Sequence, residues 1–517
     1  MTADSYDDIP YDSTPFAETH PDHLCVLGRL FGLATPAPAT ARILELGCAT
    51  GGNIIPLAFH LPQAQVLGIE LSAGQVVVAQ ELIGKLGLSN ITVRQADIMD
   101  LGAGLGQFDY IIAHGVYSWV PDFVREKILA LCRELLSDNG IAYISYNTLP
   151  GWRMRGMLRD MLLYHARDAA TPRERLAKAY ELFDLMDSAT RGLDALSAKY
   201  LCSEIAAVRK AHPSYIYHEY MEEINQPFLF SQFIADAERH GLQYVCDVEL
   251  GTAFPSTLGE AAEQALERIG SMAELEQYMD FVRNRNFRRS LLCHQECTVS
   301  RDLALEQFEN FAFSAQLTPP KKVELSRPRE QKFTSADNHD YDVSHPLTKA
   351  ALLHLAAVHP DAIPFAELVG AAHQIVVSNG GRQYAEQTDH LFGELFSLFA
   401  HQAIRISPCA QRYDKTIGER PRLHALAQAQ AAMNLGHLAT VRHTTVQLDA
   451  FSSHLVRLLD GTRTVEELTQ EMMAAMERGE VVVEGDGKKQ DPKKLAATVA
   501  ANVQRLLGVF ARQGLLR

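Results

Sequence analysis

Three acidic side chains stand at equivalent places in three successive segments of the first hundred residues. Glu45 follows the apolar start of RILELGCATGGN, Glu70 lies near the end of QVLGIELS, and Asp97 ends NITVRQAD. Each segment begins as a short strand, and ligands of open α/β sheets bind at the carboxyl ends of the strands. Carboxylates there can accept hydrogen bonds from hydroxyl, amino and ammonium groups. The spacing predicts a site for a ligand that carries several such donors.

The loop after the first segment contains glycines but departs from the dinucleotide pattern. Dinucleotide-binding folds use G-x-G-x-x-G, whose glycines let the backbone approach a pyrophosphate. Here the loop is ELGCATGG, with Ala49 in place of the middle glycine. A cofactor with an ammonium and a sulfonium group fits better, because Glu45 can hold its amino-acid end while Gly47 and Gly51 admit it closely. The loop favours S-adenosylmethionine (SAM) over NAD or ATP.

The other two acids suit the rest of the same cofactor. Glu70, with Leu71 beside it, can accept both ribose hydroxyls, a feature that NAD enzymes share. Asp97 can accept from the adenine amino group while Ile98 lies against the ring. Any one of these acids could be an ordinary surface carboxylate. It is their shared position at three strand ends that indicates a cofactor site.

The segment AHGVYSW, after the fourth strand, supplies candidates for the chemical step. His114 could orient the cofactor or relay a proton, or it could be a histidine satisfied by backbone at a strand end. Tyr117 could line an amine pocket with its ring and hydroxyl. Tyr117 and Trp119 could equally be packing anchors. Asn147 and Trp152, just after the fifth strand, are candidate substrate-binding residues at the rim.

The N-terminal segment is too aromatic for a disordered tail, despite its acids. Its rings are Tyr6, Tyr11, Phe16 and His20. We expect this segment to fold over the cofactor as a lid, with Tyr11 among the cofactor contacts. Packing on the sheet edge without touching the ligand is the alternative.

These candidates must be held by a repeating pattern of short apolar runs and longer amphipathic segments between Ala41 and Asn147. Strands separated by helices imply βαβ units, so the fold class is α/β with a Rossmann-like parallel sheet. We expect residues 1–150 to form a SAM-binding core with an N-terminal lid. Residues 151–316 are predicted to be a helical insertion followed by the last sheet strands, in LQYVCDVEL and FRRSLLCHQ.

The C-terminal third is predicted to be mainly helical. The Pro- and charge-rich stretch Leu317–Gln331 is typical of a linker. Residues 332–430 are predicted to form a helical, winged-helix-like middle domain, and residues 435–517 a winged-helix-like C-terminal domain. In the latter, Thr464 and Glu467 have capping-box spacing. Such modules can hold a peptide substrate, pack structurally or join a homodimer; DNA binding is less favoured, because acids nearly balance bases there.

Composition narrows the classes of partner and the compartment. The chain carries 48 Lys and Arg against 63 Asp and Glu, a net charge of −15 that disfavours nucleic acid. No run approaches the roughly 18 uninterrupted apolar residues of a membrane helix, so we expect no membrane insertion. The N-terminus MTADSYDDIPYDS lacks the regions of a signal peptide. We expect a cytoplasmic protein whose eight cysteines are thiols.

Metal ligation is not predicted from the sequence. Cys293 and Cys297 in CHQEC, even with His294, lack the four-ligand spacing of a structural zinc site. We expect thiols on a strand and at its end. The stretch NHDYDVSHP (Asn338–Pro346) is predicted to be a polar loop, because Asn and Pro mark irregular chain.

Several segments resemble one family of bacterial enzymes. YDDIPYDSTPFAETHP, ELGCATGGN, FDYIIAHGVYSWVP and SYNTLPGW are similar to class I SAM-dependent methyltransferases that carry a methyltransferase regulatory domain. The match is dense from Tyr6 to about His165, and YHEYMEEINQPF (Tyr217–Phe228) falls in the regulatory region. That group includes protein-lysine methyltransferases that act on outer-membrane proteins. Ala49 departs from the usual glycine of the first motif.

The resemblance implies a function that the residues alone leave open. It implies methyl transfer from SAM to a polypeptide, in the first place to lysine side chains. A small-molecule methyltransferase whose extra domains build a lid or a dimer is the alternative within enzymes. A SAM-binding regulator without turnover is the alternative outside them.

Overall fold

A seven-stranded sheet forms the centre of the N-terminal half, in a computed structural model that describes residue 9 and residues 13–303, 305–481 and 492–517. Its strands are β1 Arg42–Leu46, β2 Gln65–Glu70, β3 Ile91–Gln95, β4 Phe108–Ala113, β5 Leu136–Asn147, β6 Leu242–Asp247 and β7 Phe287–His294. The order is β3-β2-β1-β4-β5-β7-β6. Strands β1 to β5 are parallel, and β7 is antiparallel to β5 and β6. The predicted parallel core and late-added strands are confirmed.

Helices pack on both faces of this sheet. The first four are α1 Pro21–Leu30, α2 Ile54–His60, α3 Ala73–Leu86 and α4 Asp122–Leu135. Helices α1 to α3 share a core with Ile43 of β1, whereas α4 shares a core with Leu44 on the opposite face. The Ser72 side chain caps α3 by accepting from the Gln75 N–H, and Gly87 ends it in the left-handed region. The alternation of β1 side chains thus divides the helices between two layers.

A helical insertion separates β5 from the last two strands. Its helices are α5 Trp152–His165, α6 Pro172–Ala189, α7 Leu196–Val208, α8 Pro213–Tyr220 and α9 Phe230–Arg239. Two further helices, α10 Glu260–Leu266 and α11 Met272–Arg283, lie between β6 and β7. Helices α5 to α8 enclose a small core of their own around Leu158, Phe183 and Ile205. Helix α9 instead joins α4 on the sheet. The predicted helical insertion in the methyltransferase fold is confirmed.

A buried ion network fixes β7 to α11. Arg288 is fully buried, and its guanidinium donates to both carboxylate oxygens of Asp280 at 2.8 Å and to Glu276 Oε2 at 2.8 Å. Asp247 at the end of β6 is also buried and lies 3.8 Å from Arg288. Buried charges are tolerated when they are paired in this way.

The middle region packs against the sheet instead of standing apart. Its elements are β8 Ala312–Ser314, β9 Leu317–Thr318, β10 Gln331–Ser335, β11 Asp340–Val343, α12 Pro346–Val358, β12 Ile363–Pro364, α13 Phe365–Ser378, α14 Thr388–Ala400 and β13 Arg405–Ser407. Phe308 and Leu347 belong to the same continuous core as Ile43 of β1. The stretch predicted as a polar loop is partly ordered, because β11 pairs with β10 as a hairpin.

The last elements form a separate small core. They are α15 Ala425–Ala432, β14 His437–Ala439, β15 Thr445–Gln447, α16 Ala450–Leu458, α17 Val465–Glu477 and α18 Pro492–Arg512. The predicted capping box of Thr464 and Glu467 is confirmed at the start of α17. Helix α18 buries Val503 and Leu507. Within the described part of the chain, none of the helices has both the length and the apolar character needed to cross a membrane.

Candidate active site

A cavity of about 580 Å³ opens at the carboxyl ends of β1 to β4. This volume lies within the usual range for small-molecule sites. The predicted residues that line it are Glu45, Gly47, Glu70, Leu71, Asp97, Ile98, His114, Trp119 and Asn147. Gly51, Tyr117 and Trp152 are not among the lining residues, and Tyr11 falls outside the described residues.

Glu45 is buried at the end of β1 with one half of its carboxylate unpaired. Its Oε1 accepts from the Asn53 side-chain amide at 2.8 Å, whereas Oε2 has no hydrogen-bond partner among the described residues. Burial, and to a lesser degree the charge of Glu70, raise the pKa of Glu45 to about 7. A buried carboxylate oxygen without a donor is costly, and an ammonium group would satisfy it. This geometry fits the amino-acid end of SAM.

Glu70 is held at the end of β2 by the loops that surround it. Its Oε2 accepts from the Ala49 N–H at 2.9 Å, and its Oε1 accepts from the Leu71 and Ser72 N–H groups at 2.8 and 3.0 Å. A carboxylate has about four lone-pair positions, so one remains on Oε2. In this structure Glu70 can therefore accept a hydrogen bond from one ribose hydroxyl. The sequence predicts that it accepts from both ribose hydroxyls.

Asp97 and Ile98 contribute the wall after β3. Asp97 starts a short 3-10 helix, Ile98–Asp100, and its Oδ1 accepts from the Met99 N–H at 2.9 Å. Both side chains line the cavity, on the same edge as Glu45 and Glu70. The three acids of the sequence pattern therefore meet at one sheet edge, as their positions at strand ends require.

The two glycines singled out in the first loop have different surroundings. Gly47 lines the cavity with a φ of +71°, and a Cβ there would lie 2.6 Å from Val116. Gly51 has a φ of +78°, and its Cβ would lie 2.7 Å from Ile55 in α2. Gly51 is thus needed for the turn and for close packing on the helix, and does not border the cavity.

His114 lies at the end of β4 with its ring against the cavity. Its Nδ1 is 2.8 Å from the Tyr143 hydroxyl, and its ring centroid is 4.0 Å from that of Phe16. Burial lowers the pKa of His114 to about 4, so the imidazole is neutral near pH 7. The hydrogen-bond partner of His114 is therefore a side-chain hydroxyl, and not a backbone group as in the second interpretation of this residue from the sequence.

Tyr117 lies in the core instead of facing the cavity. It is 1% exposed, and its ring contacts those of Tyr146, Phe228 and Phe233. The residue belongs to a 3-10 turn, Tyr117–Trp119. In this turn the Tyr117 side chain lies in the core, whereas the Trp119 side chain lines the cavity. Burial raises the pKa of its hydroxyl, which removes it as a ready proton acceptor.

The two tryptophans lie at the rim in an edge-to-face pair. Trp119 lines the cavity, and its ring centroid is 6.3 Å from that of Trp152 at 88°. Trp152 is 3% exposed at the start of α5 and supports Trp119 from behind. Asn147 lines the cavity and donates from Nδ2 to Asn225 Oδ1 at 3.0 Å.

The helical insertion supplies a second set of lining residues that sequence reasoning missed. Glu219 and Tyr215 of α8 face Arg155 of α5; Arg155 Nη1 is 3.6 Å from Glu219 Oε1 and 3.4 Å from the Tyr215 hydroxyl. Burial raises the pKa of Glu219 to about 7, although Arg155 opposes this shift. The cluster of rings and acids in YHEYMEE was the available signal.

Asn53 joins three parts of the chain to the cofactor loop. Its Oδ1 accepts from the Phe16 N–H at 3.0 Å and from the Thr19 hydroxyl at 3.1 Å. It also lies 2.7 Å from His443 Nε2, in the loop between β14 and β15. Ser13 and Phe16 line the cavity, so the described part of the N-terminal segment contacts the site. Tyr6 and Tyr11 lie outside the described residues.

Three family models match the chain in succession. A methyltransferase domain matches residues 43–140, a predicted methyltransferase regulatory domain matches residues 212–294, and the C-terminal winged helix domain of PKMT matches residues 419–515. The first match contains the three acids of the sheet edge. The second contains Tyr215 and Glu219, and the third contains His443.

Two relatives match the chain, one over nearly its full length and one over about half of it. The uncharacterized protein RP789 of Rickettsia prowazekii is 32% identical over 496 residues, covering 95% of this chain and 89% of the relative. A second protein of that organism, RP028, is 38% identical over 235 residues, covering 46% of this chain and 94% of the relative.

A solved structure matches over nearly the full length. It is PKMT2 from Rickettsia typhi in complex with AdoHcy, which is 28% identical with a TM-score of 0.85 and covers 98% of this chain and 100% of that one. AdoHcy is the form of SAM that has lost its methyl group, and the cofactor of this chain is SAM. The chain belongs to the family of class I SAM-dependent methyltransferases that carry a methyltransferase regulatory domain and a PKMT-type winged helix domain.

Proposed function

We propose that this SAM-dependent methyltransferase transfers methyl groups to lysine side chains of a protein substrate. The observation that carries the proposal is Glu219, a carboxylate in the part of the cavity that the insertion builds, apart from the cofactor-facing acids. Because Glu219 approaches from α8 and not from the sheet edge, it is available to the methyl acceptor.

The surroundings of Glu219 suit a long alkyl chain that ends in an amine. The rings of Trp119 and Phe287 line the same cavity and can pack against methylene groups. Glu219 can pair with the ammonium head, and the Trp119 ring can add cation–π attraction. Arg155 keeps the carboxylate oriented but is itself shared with Glu204, whose Oε1 is 3.7 Å from its Nε. A lysine side chain meets each of these requirements.

The reaction places two demands on the residues of this chain. SAM, when bound, supplies a methyl group on a sulfonium; the amine nitrogen forms the new bond to carbon as the carbon–sulfur bond breaks and its electron pair goes to sulfur. The amine must therefore first lose its ammonium proton. Glu219, with a pKa raised to about 7, is a group in the cavity that can accept a proton near pH 7. His114, with a pKa lowered to about 4, stays neutral there.

The comparisons also support a protein as the substrate. PKMT abbreviates protein-lysine methyltransferase, and the word appears in both the matched winged helix model and the Rickettsia typhi structure. The size of the chain agrees with this, since two further domains follow the cofactor core and remote binding can support the geometry of the reacting groups.

The test is transfer of label from methyl-labelled SAM in the presence of a bacterial protein extract or of its small solutes. We expect label in protein and none in the small solutes; label confined to small solutes, or SAM binding without transfer, would contradict the proposal. Glu219→Gln should lower the rate of transfer at least tenfold while SAM affinity changes little. Glu223→Gln, an exposed acid outside the cavity lining, is the matched control.

A further inference from the structure

We propose that His345, His390 and Glu394 form a binding site for a divalent transition metal ion such as Zn²⁺, in the middle region and separate from the methyl-transfer cavity. One ligand atom from each residue can be chosen so that all three lie within 4.8 Å of one another. His345 immediately precedes α12, and the other two residues lie on α14.

The two α14 residues have the spacing that helices use for paired metal ligands. Residues four apart lie on the same helix face. His390 Nε2 is 3.1 Å from Glu394 Oε1, and the ring of His345 lies over that of His390 with centroids 4.1 Å apart. The three side chains therefore converge from two helices on one point.

The hydrogen bond between Gln387 and the His345 ring determines which nitrogen of that ring keeps a free lone pair. The Gln387 side-chain amide donates from Nε2 to the Gln383 carbonyl, which turns its Oε1 toward His345. That oxygen lies 2.7 Å from His345 Nε2, so this nitrogen carries the hydrogen. His345 Nδ1 is then the bare nitrogen. Metal-ligating histidines are commonly oriented by such a hydrogen bond from the other ring nitrogen.

His345 Nδ1 also lacks any other partner. The residue is 7% exposed, and this atom has no hydrogen bond among the described residues. Glu394 Oε2 is likewise buried and unpaired there. The nearby cation, Lys349, donates instead to the Arg329 carbonyl at 3.0 Å. Buried acceptors without donors are costly, and a bound cation would satisfy them.

The donor set selects the chemical class of the ion. Two imidazole nitrogens and one carboxylate oxygen suit Zn²⁺ and its neighbours in the first transition series, whereas Mg²⁺ and Ca²⁺ prefer oxygen alone. The His390 side chain is 51% exposed, so solvent can reach a fourth position. Bound metal would tie the start of α12 to α14 and stabilise the middle region.

The experiment uses the full-length protein stripped with a chelator, with the exposed thiol of Cys409 removed by Cys409→Ser in every sample. Zn²⁺ binding is measured by titration calorimetry, and Co²⁺ binding by visible absorption, with thiols kept reduced. The variants are His390→Ala, Glu394→Gln and Gln387→Leu. His339→Ala is the control, because His339 is an exposed histidine whose ring pairs with Asp337.

We expect one tight equivalent of Zn²⁺ in the parent protein and in His339→Ala. Affinity should fall more than 100-fold in His390→Ala and Glu394→Gln, and by about 10–100-fold in Gln387→Leu, which only frees the His345 ring. SAM affinity should stay normal in all of them, which shows that they are folded. Equal Zn²⁺ affinity in the parent protein and His390→Ala, or the absence of a tight equivalent from the parent protein, would overturn the proposal.

Discussion

Nε2 of His443 donates a hydrogen bond to Oδ1 of Asn53 at 2.7 Å, although 390 residues separate them in the chain. Burial holds the pKa of His443 well below its usual range, so its imidazole is neutral. Asn53 in turn donates to Glu45 Oε1 at 2.8 Å. Two consecutive hydrogen bonds thus join the winged helix domain to the Glu45 carboxylate, which we propose holds the amino-acid end of SAM.

Removal of this contact should weaken SAM binding from a distance. His443→Ala leaves Asn53 Oδ1 with its bonds to Phe16 and Thr19 but deletes one buried donor, a loss of about 1 kcal/mol. We expect SAM affinity to fall about fivefold by calorimetry. His443 has a φ of +55°, so His443→Asn, which tolerates that backbone, should recover part of the affinity.

The control for that comparison is His401→Ala. His401 is exposed, and its Nδ1 donates to the Ser397 carbonyl in the preceding helix turn at 2.8 Å. SAM affinity should be unchanged in this variant. If His443→Ala binds SAM as the parent protein does, the hydrogen bond does not support the cofactor loop.

SAM affinity should depend on pH through Glu45. The raised pKa of about 7 means that in the free protein this carboxyl is largely protonated below pH 7, while pairing with an ammonium group needs the charged form. Binding then releases a proton, so affinity rises with pH up to about 7 and falls by up to about tenfold for each unit below it. Calorimetry between pH 5 and pH 8, pH values chosen to bracket that pKa of about 7, measures this slope.

Glu45→Gln separates this cause from other titrating groups. The amide cannot ionise, so the variant should bind SAM more weakly at pH 8 and show a flat profile over the range around the Glu45 pKa of about 7. For the free protein the sign is opposite: because the pKa of Glu45 is raised on folding, the folding stability declines as pH rises from the ordinary glutamate pKa of 4.5 to about 7. If SAM affinity changed with pH in Glu45→Gln as it does in the parent protein, a group other than Glu45 would cause the pH dependence.

Tyr117 should matter for stability and not for the chemical step. Its ring fills a buried aromatic cluster, so Tyr117→Ala should destabilise the fold by about 3–5 kcal/mol. Tyr117→Phe keeps the ring and should leave both SAM affinity and the transfer rate within about twofold. A Phe variant with normal SAM affinity and lost transfer would mean that the hydroxyl takes part in the reaction.

The ion network at β7 should be the most sensitive polar cluster of the core. Arg288→Met removes the cation nearest to Asp280 and Glu276 and leaves Asp247 and Asp280 with Arg285, at 2.9 and 4.0 Å. Breaking a buried pair in this way costs about 3–5 kcal/mol. Urea unfolding should show the loss. Arg239→Met removes an exposed arginine paired with Asp236 at 2.6 Å, and we expect little change there. Similar midpoints for the two variants would refute a structural role for the network.

Features whose residues all lie within one short segment could be predicted from the sequence. Strand periodicity and the acid after it occur together in each stretch, so the meeting of Glu45, Glu70 and Asp97 follows from parallel strands. The caps of α3 and α17 are equally local. Gly51 is predicted from the sequence to admit the cofactor closely. Its φ of +78° agrees with a glycine, but the neighbour that excludes a side chain is Ile55 and not the cavity.

Features that depend on packing between distant segments could not be predicted from the sequence. Arg155 and Tyr215 are 60 residues apart, on helices whose relative placement no local pattern fixes. His443 is further still from Asn53. Tyr117 and Trp119 were given equal alternatives because a single 3-10 turn decides which ring faces the cavity and which the core. The metal cluster likewise needs the start of α12 beside α14.

The central claim is that the methyl acceptor is a lysine side chain of a protein. It is tested most directly by incubating the full-length protein with SAM and a bacterial membrane-protein extract, then locating the added methyl groups by tandem mass spectrometry of the peptides. The account predicts mass increments on lysine side chains, and their loss when the lysines of the extract are blocked by acylation beforehand. Methylation that persists at other residues of the blocked extract, or that is found only on small molecules, would contradict it.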